Sequence, residues 1–229
     1  MPALSIVVPA YNEAARLGPS LDRIRSAIAG RDVELIVVDD GSTDATAEIA
    51  SAAGAHLVQL PRNRGKGAAV RTGVLAARGD RILICDADLS TPIEELARLE
   101  AAVDAGADIA IGSRRVAPTI EREQPWARRI LGAGFRVAAR WLVGVTERDP
   151  MCGFKLFKRA AARDLFARCH IDRFAFDVEV LSLARRRWQV VEVPVRWQHV
   201  SGSKVSLGRD GLRSARDVVV LFVHHRLRR

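Results

Sequence analysis

The sequence predicts an α/β protein, a doubly wound and mostly parallel sheet with helices on both faces. Three observations carry this expectation. Short apolar runs recur along the first half, stretches of helical length lie between them, and the links are short. Strands buried on both faces read as near-continuous apolar runs, as these do.

In chain order, strands are expected at "LSIVVPA" (4–10), "VELIVVDD" (33–40), "HLVQL" (56–60), "RILICDAD" (81–88) and "DIAIGS" (108–113). Helices are expected at 13–29, 43–53, 66–78 and 92–105. Ser42 and Thr43, and later Ser90 and Thr91, stand where an N-cap hydroxyl accepts a free helix amide, and Pro92 suits a first helical position. Beyond 113 the pattern changes. "PWARRILGAGFRVAARWLVGV" (125–145) predicts a long helix with a mixed apolar and arginine surface, and "MCGFKLFKR" follows it. Further helices are expected near 160–168 and 175–187, a strand at 190–197 and a terminal helix near 208–228. No linker or low-complexity stretch interrupts the chain, so one domain over 1–229 is expected, with a second half that elaborates the sheet.

At 229 residues, 48% hydrophobic and 28% charged, the chain has a globular composition and the length for one large α/β core. Its 36 basic residues outnumber 27 acidic ones for a net charge of +9, and all but Lys66, Lys155, Lys158 and Lys204 are arginines. Such a balance suits an anionic partner: a phosphate ligand, nucleic acid or a membrane surface. Cys85, Cys152 and Cys169 are odd in number and lack CxxC spacing, which argues against a disulfide framework or a zinc site and for a reducing, cytosolic setting. No signal-peptide pattern opens the sequence, and no run approaches the roughly 18 apolar residues of a spanning helix. A protein either free in solution or peripherally attached to a membrane is expected.

Open parallel sheets bind ligands beyond the carboxyl ends of their strands. Polar residues gather there in this sequence: Tyr11, Asn12 and Glu13 after the first strand, Asp39 and Asp40 after the second, Asp86 and Asp88 after the fourth, Ser113 and Arg114 after the fifth. Any one of these is ordinary turn chemistry, and "DDGSTD" alone is also a helix start; four strand ends together are harder to explain as packing. The loop "PRNRGKGAAV" (61–70) sets glycines on either side of Lys66 at a strand-to-helix junction, where backbone and ammonium both favour a phosphate. Its spacing is not that of a Walker A loop. Asp86 and Asp88, spaced as D-x-D in an expected strand end, would point to one side with Ala87 between them. Paired carboxylates of this kind hold Mg²⁺ or Mn²⁺ while substrate phosphates complete the shell.

The series "IVVPAYNEAARL", "VDDGSTDAT", "NRGKGAAVRTG", "DADLSTP", "IGSRR", "DPMCGFKLFKR", "FAFDVEVL" and "EVPVRWQHVSGSKV" resembles the motifs of family 2 glycosyltransferases with the GT-A fold. The likeness is greatest to dolichyl-phosphate and polyprenyl-phosphate β-glucosyltransferases, then to dolichyl-phosphate mannose synthases. It runs from about Leu4 to the terminal helix, and "CGFKLF", "FDVE" and "GSK" in this order are its most specific parts.

The resemblance implies that Pro9, Tyr11, Glu13, Val38 and Asp40 line a nucleotide pocket in residues 1–115. Asp86, Ala87 and Asp88 would meet the donor diphosphate through Mg²⁺ or Mn²⁺. Arg114 would face the phosphates, Lys204 would close over the donor, and Arg128 would lie near the acceptor's phosphate in the half formed by 116–229. Two departures bear on the sugar: Ser90 stands where mannose synthases usually carry glutamine, and Gly132 where they tend to carry serine. Both favour glucose from UDP-glucose over mannose from GDP-mannose.

A lipid phosphate is already an anion near neutral pH, so such an acceptor hardly needs a general base. It needs relief of charge where two anionic groups meet one anomeric carbon, which cations supply. Asp177 in "FAFDVEV" is therefore expected to orient acceptor or sugar, and Glu179 to be structural. A polyprenyl acceptor requires a membrane surface, expected at its cytoplasmic face, and Trp126, Leu131, Phe135, Trp141 and Leu142 among arginines suit an interfacial helix. Two other classes fit less well. A sugar nucleotidyltransferase should open with a glycine-rich G-x-G-T-R type loop, where this chain has "PAYNEAARL". A nucleic-acid-binding module would leave Asp39, Asp40, Asp86 and Asp88 as four acids facing a phosphate backbone.

Overall fold

The computed structural model describes residues 1–115, 140–198, 200 and 217. Among them, strands β1 (Leu4–Ala10), β2 (Val33–Asp39), β3 (His56–Gln59), β4 (Arg81–Ile84), β5 (Ile109–Ser113), β6 (Lys155–Lys158) and β7 (Val190–Pro194) form one sheet. Its order is β3-β2-β1-β4-β6-β5-β7. All neighbours pair in parallel except β6, which runs antiparallel between β4 and β5. The sheet is therefore mostly parallel, as expected, with one inserted strand that comes from "KLFK".

Helices α1 (Ala14–Ala27), α2 (Thr46–Ala52), α3 (Lys66–Ala76), α4 (Leu96–Asp104), α5 (Arg159–Arg168) and α6 (Phe176–Ala184) complete the described elements, with a 3₁₀ turn at Ile93–Glu95 leading into α4. Alternate residues of each central strand divide the core in two. Val7, Ile36, Val38, Ile82, Ile84 and Phe157 pack with residues of α3, α5 and α6. Ile6, Val8, Val37, Leu83 and Leu156 pack with residues of α1, α2 and α4 on the other face. Leu17, Leu21 and Ile24 fall on one stripe of α1 and are wholly buried; each such side chain stabilises by about 1.5–3 kcal/mol.

From β1 the chain steps outward to β2 and β3, then crosses back to lay β4 on the other side of β1. This reversal is a topological switch point, and the crevice it opens lies beyond the carboxyl ends of β1 and β4. Two local expectations are corrected. Strand β4 ends at Ile84, with only the Cys85 amide to Val7 (3.0 Å) continuing the ladder, so strand alternation does not carry Asp86 and Asp88. Nor do Ser42, Thr43, Ser90 or Thr91 cap the helices that follow them; α2 starts later, where Asp44 accepts the Thr46 amide at 3.1 Å. The end of the expected 125–145 helix is helical at 140–143. Its earlier part, with Arg128, and most of the terminal helix lie outside the described residues.

Candidate active site

The loops after β1 and β2 are stitched together by short polar side chains. Asn12, at φ 53°, donates its amide to Ser42 Oγ (2.8 Å) and accepts the Thr43 amide on Oδ1 (2.8 Å). The Glu13 amide reaches Thr46 Oγ1 at 2.8 Å, while its carboxylate takes Arg16 Nε and Nη2, each at 2.7 Å. Pro9 and Val38 are partners in the β1–β2 register, and Tyr11 is partly exposed just beyond. Tyr11 and Glu13 thus stand together beyond the end of β1, whereas the side chain of Val38, expected to line the nucleotide pocket, is wholly buried in the core.

Asp40 ties these loops to the glycine loop. Buried at the end of β2, it accepts Asn63 Nδ2 (2.9 Å), the Arg64 amide (2.8 Å) and the Gly65 amide (2.8 Å). Burial pushes its carboxyl pKa up in spite of those donors. The amides of Arg64 and Gly65 are thus spent on Asp40, and the Ala68 amide on the Asp172 carbonyl (3.0 Å). What the loop presents to the crevice is the side chain of Lys66.

Lys66 Nζ sits 2.5 Å from Asp86 Oδ1, with the two side chains 21% and 35% exposed. Burial disfavours the ammonium, but Asp86, then Asp177 and Asp88, outweigh it and hold the amine's pKa above its ordinary value. Asp86 to Leu89 is a tight turn closed by the Leu89 amide on the Asp86 carbonyl (3.1 Å), with Leu89 at φ 47°. Asp88 Oδ1 accepts both the amide (2.9 Å) and the hydroxyl (2.8 Å) of Ser90. This Asx turn, rather than the pleat, orients Asp88 and leaves its Oδ2 without a partner among the described residues. The Ser90 carbonyl in turn accepts the Gln198 amide at 2.8 Å, fastening the segment after β7 to the turn. Lys204, farther along that segment, lies outside the described residues.

Arg114 leaves β5 and is gripped by Asp149: Nε to Oδ2 at 2.7 Å, Nη2 to Oδ1 at 2.7 Å and its own amide to Oδ2 at 2.9 Å. Burial works against both charges, yet the pairing prevails, raising the Arg114 pKa and lowering that of Asp149. The guanidinium lies 5.3 Å from the ring centre of Trp197, and Glu192 accepts the Asp149 amide at 2.9 Å. Beneath the crevice, Asp177 Oδ1 pairs with Lys155 Nζ at 2.5 Å, both buried. Burial pushes the Asp177 carboxyl pKa up, against the pull of Lys155 and Lys66. Glu179 accepts the amides of His170 and Ile171 at 2.8–3.1 Å, a structural role.

Lys66 thus interacts with Asp86, Asp88 and Asp177, Arg114 with Asp86, and Asp40 reaches the group through the Gly65 amide, while Ala87 is buried between the two aspartates of the turn. Sequence reasoning gave no role to Asn63, Asp149, Gly153, Lys155 or Trp197; the signal for three of these was the "DPMCGFK" motif itself. Among the described residues no group of three or more His, Cys, Asp or Glu gathers as a metal site. Two hard carboxylates nonetheless fit Mg²⁺ or Mn²⁺, which keep several waters and take substrate phosphates as further ligands.

Residues 5–166 match the family model described as glycosyl transferase family 2. The chain is similar to the dolichyl-phosphate beta-glucosyltransferase of Drosophila melanogaster, 39% identical over 97% of this chain and 75% of that protein. The Homo sapiens enzyme of the same name is 35% identical over 97% of this chain and 75% of its own. Among solved structures, glucosyl-3-phosphoglycerate synthase from Mycobacterium tuberculosis, with Mn²⁺, uridine-diphosphate-glucose and phosphoglyceric acid, superposes with a TM-score of 0.73 at 22% identity. That match covers 97% of this chain and 79% of the other, and at that identity it speaks for the fold.

Proposed function

We propose that this chain, which belongs to glycosyltransferase family 2, transfers glucose from UDP-glucose to a polyprenyl or dolichyl phosphate with inversion, assisted by a divalent cation. The observation that carries the reading is the crevice at the switch point, where Asp86 and Asp88 stand beside Lys66. The relatives, dolichyl-phosphate beta-glucosyltransferases at 34–39% identity, support the lipid phosphate acceptor and the glucose.

In this reading Pro9, Tyr11, Glu13 and Asp40 hold the nucleoside, and Asp86, Ala87 and Asp88 lie against the diphosphate. Asp86 and Asp88 would hold Mg²⁺ or Mn²⁺, whose contribution when bound is to stabilise charge on the departing diphosphate. Lys66 neutralises the same region from the protein side. Arg114, fixed by Asp149 and Trp197, presents a guanidinium of constant charge toward the phosphates. Lys204 and Arg128 are assigned to the donor and to the acceptor phosphate. The acceptor oxygen is an anion near pH 7, so no residue need remove a proton from it. Asp177, buried and paired with Lys155, suits that requirement: it keeps the site's cations in place and works by orientation.

No helix among the described residues is long and apolar enough to cross a membrane. A surface attachment on the cytoplasmic face is part of the proposal, supported by Trp141, 82% exposed beside exposed Arg140. The deciding experiment offers a panel of UDP- and GDP-sugars with a short polyprenyl phosphate and Mn²⁺, scored for lipid-linked product. UDP-glucose should give the product. Turnover of GDP-mannose alone would replace the glucosyl reading with a mannosyl one, and release of free nucleotide-sugar from sugar phosphate would replace the class.

A further inference from the structure

The segment "DPMCGFK" (149–155) overlaps "CGFKLF", one of the most specific parts of the family resemblance, and three of its residues, none of them assigned to a substrate, stand against the site. Each touches a different group of the site. Asp149 grips Arg114, and Lys155 pairs with Asp177 while donating to the Cys152 carbonyl. Gly153 makes the third contact. A methyl group at its Cβ position would stand 2.0 Å from Asp86 Oδ2, 2.4 Å from Cγ and 2.6 Å from Oδ1.

Those are the three atoms nearest that position, and all belong to one carboxylate. Asp86 is therefore sandwiched, with Lys66 Nζ on Oδ1 and the bare backbone of Gly153 under the group. The conformation of residue 153 is not what requires glycine, since it is absent from the positive-φ positions. Space is. Any β-carbon there would push Asp86 out of line with Lys66 and change its separation from Asp88, whose own orientation is set independently by Ser90.

We propose that Gly153 is a positioning residue whose missing side chain seats the Asp86 carboxylate, and that Asp149, Gly153 and Lys155 together form a bracket aligning Arg114, Asp86 and Asp177. The functional meaning of that alignment rests on the transferase reading; the seat itself does not. Because Asp149, Gly153 and Lys155 lie within seven residues, one backbone segment registers charged groups that come from β5, the β4 turn and α6.

The test combines Gly153→Ala, Asp86→Ala and the double variant, read by thermal unfolding and by Mn²⁺ binding followed by electron paramagnetic resonance in the presence of UDP. Gly153→Ala should lower Tm by roughly 5 °C or more and weaken Mn²⁺ binding about tenfold or more, as displacing the support of a ligand does. In the Asp86→Ala background, the same change should leave Tm where Asp86→Ala alone puts it. A folded Gly153→Ala protein that binds Mn²⁺ as tightly as wild type would overturn the proposal. So would a loss of stability that persists in full when Asp86 is alanine. Should Gly153→Ala fail to fold alone, the double variant decides: folding like Asp86→Ala supports the seat, and failing to fold refutes it. If wild type binds no Mn²⁺, the metal reading falls and the stability comparison judges the seat by itself.

Discussion

Asp88 offers one carboxylate oxygen to Ser90 and the other to the crevice. An asparagine side chain retains an Oδ1 that accepts both Ser90 bonds, so Asp88→Asn should keep the turn and the fold while removing the anionic oxygen. Turnover should fall by roughly a hundredfold or more, with an unchanged circular dichroism spectrum; near-normal turnover would sink the assignment of Asp88. Asp149 makes a contrasting case, in which charge holds structure. Its pKa is depressed, so its pairing contributes stability above the ordinary carboxylate value of 3.8 and loses it as pH falls through the lower folded-state value. Asp149→Asn strands the buried guanidinium of Arg114 and should cost about 3 kcal/mol near neutral pH, a Tm lower by about 6–12 °C. That gap should close below about pH 4; a gap independent of pH would show that the pair is not its source. Asp86, Asp88 and Arg114 were legible in the sequence because each follows an apolar run. Asp149 and Lys155 were not, since their partners lie 35 and 22 positions away and a lone charge in a motif does not name its counter-ion.

At the scale of elements, α3 carries Lys66 into the site and depends on a close approach to the segment before α6. Beyond the Ala68 amide to Asp172, a β-carbon at Gly67 would lie 2.4 Å from the Ile171 carbonyl oxygen, 2.8 Å from Phe176 Cβ and 2.9 Å from the Arg173 carbonyl oxygen. Two of those atoms are backbone and cannot rotate away. Gly67→Ala should therefore lift the start of α3, costing about 1–3 kcal/mol, and raise the donor KM as Lys66 is displaced from Asp86. Wild-type KM together with wild-type Tm would show that the approach is looser than these distances. The same scale explains which elements were readable. β1, β2 and β5 are near-continuous apolar runs because their faces are largely covered, and α1 shows its stripe. β6 escaped notice because "KLFK" places a lysine at a fully buried position, where composition argues for exposure; its partners, the Asp177 carboxylate and the Cys152 carbonyl, make it tolerable. The strand expected at 81–88 overruns into the turn at Asp86 to Leu89 because the apolar run continues to Cys85 and a leucine gives no sign of the left-handed conformation that Leu89 adopts beside the Asp88–Ser90 contact.

For the whole molecule, the net charge of +9 is carried almost entirely by arginine and needs an anionic counterpart. Several of the described arginines are spent on ion pairs within the chain: Arg114 on buried Asp149, Arg71 on half-buried Asp172, and Arg159 on exposed Asp80. A different set faces out. Arg140 and Trp141 stand exposed at the end of the expected interfacial helix, while Leu142 packs on the core beside them, so the face is anchored from within. An exposed tryptophan beside an arginine suits the boundary between headgroups and acyl chains, where the ring is half apolar and the cation meets anionic lipid. Binding to vesicles containing anionic lipid should then have two separable parts. The electrostatic part should weaken as salt shortens the screening length from about 10 Å at 0.1 M to about 3 Å at 1 M. The apolar part should survive salt and be cut by Trp141→Ala, by about tenfold in affinity if burying the ring contributes near 1.4 kcal/mol. Co-sedimentation of wild type and Trp141→Ala with neutral and with anionic vesicles, at low and high salt, resolves both. Equal binding of the two proteins under all four conditions would remove Trp141 from the membrane face and leave the charge alone to bring the enzyme to its acceptor.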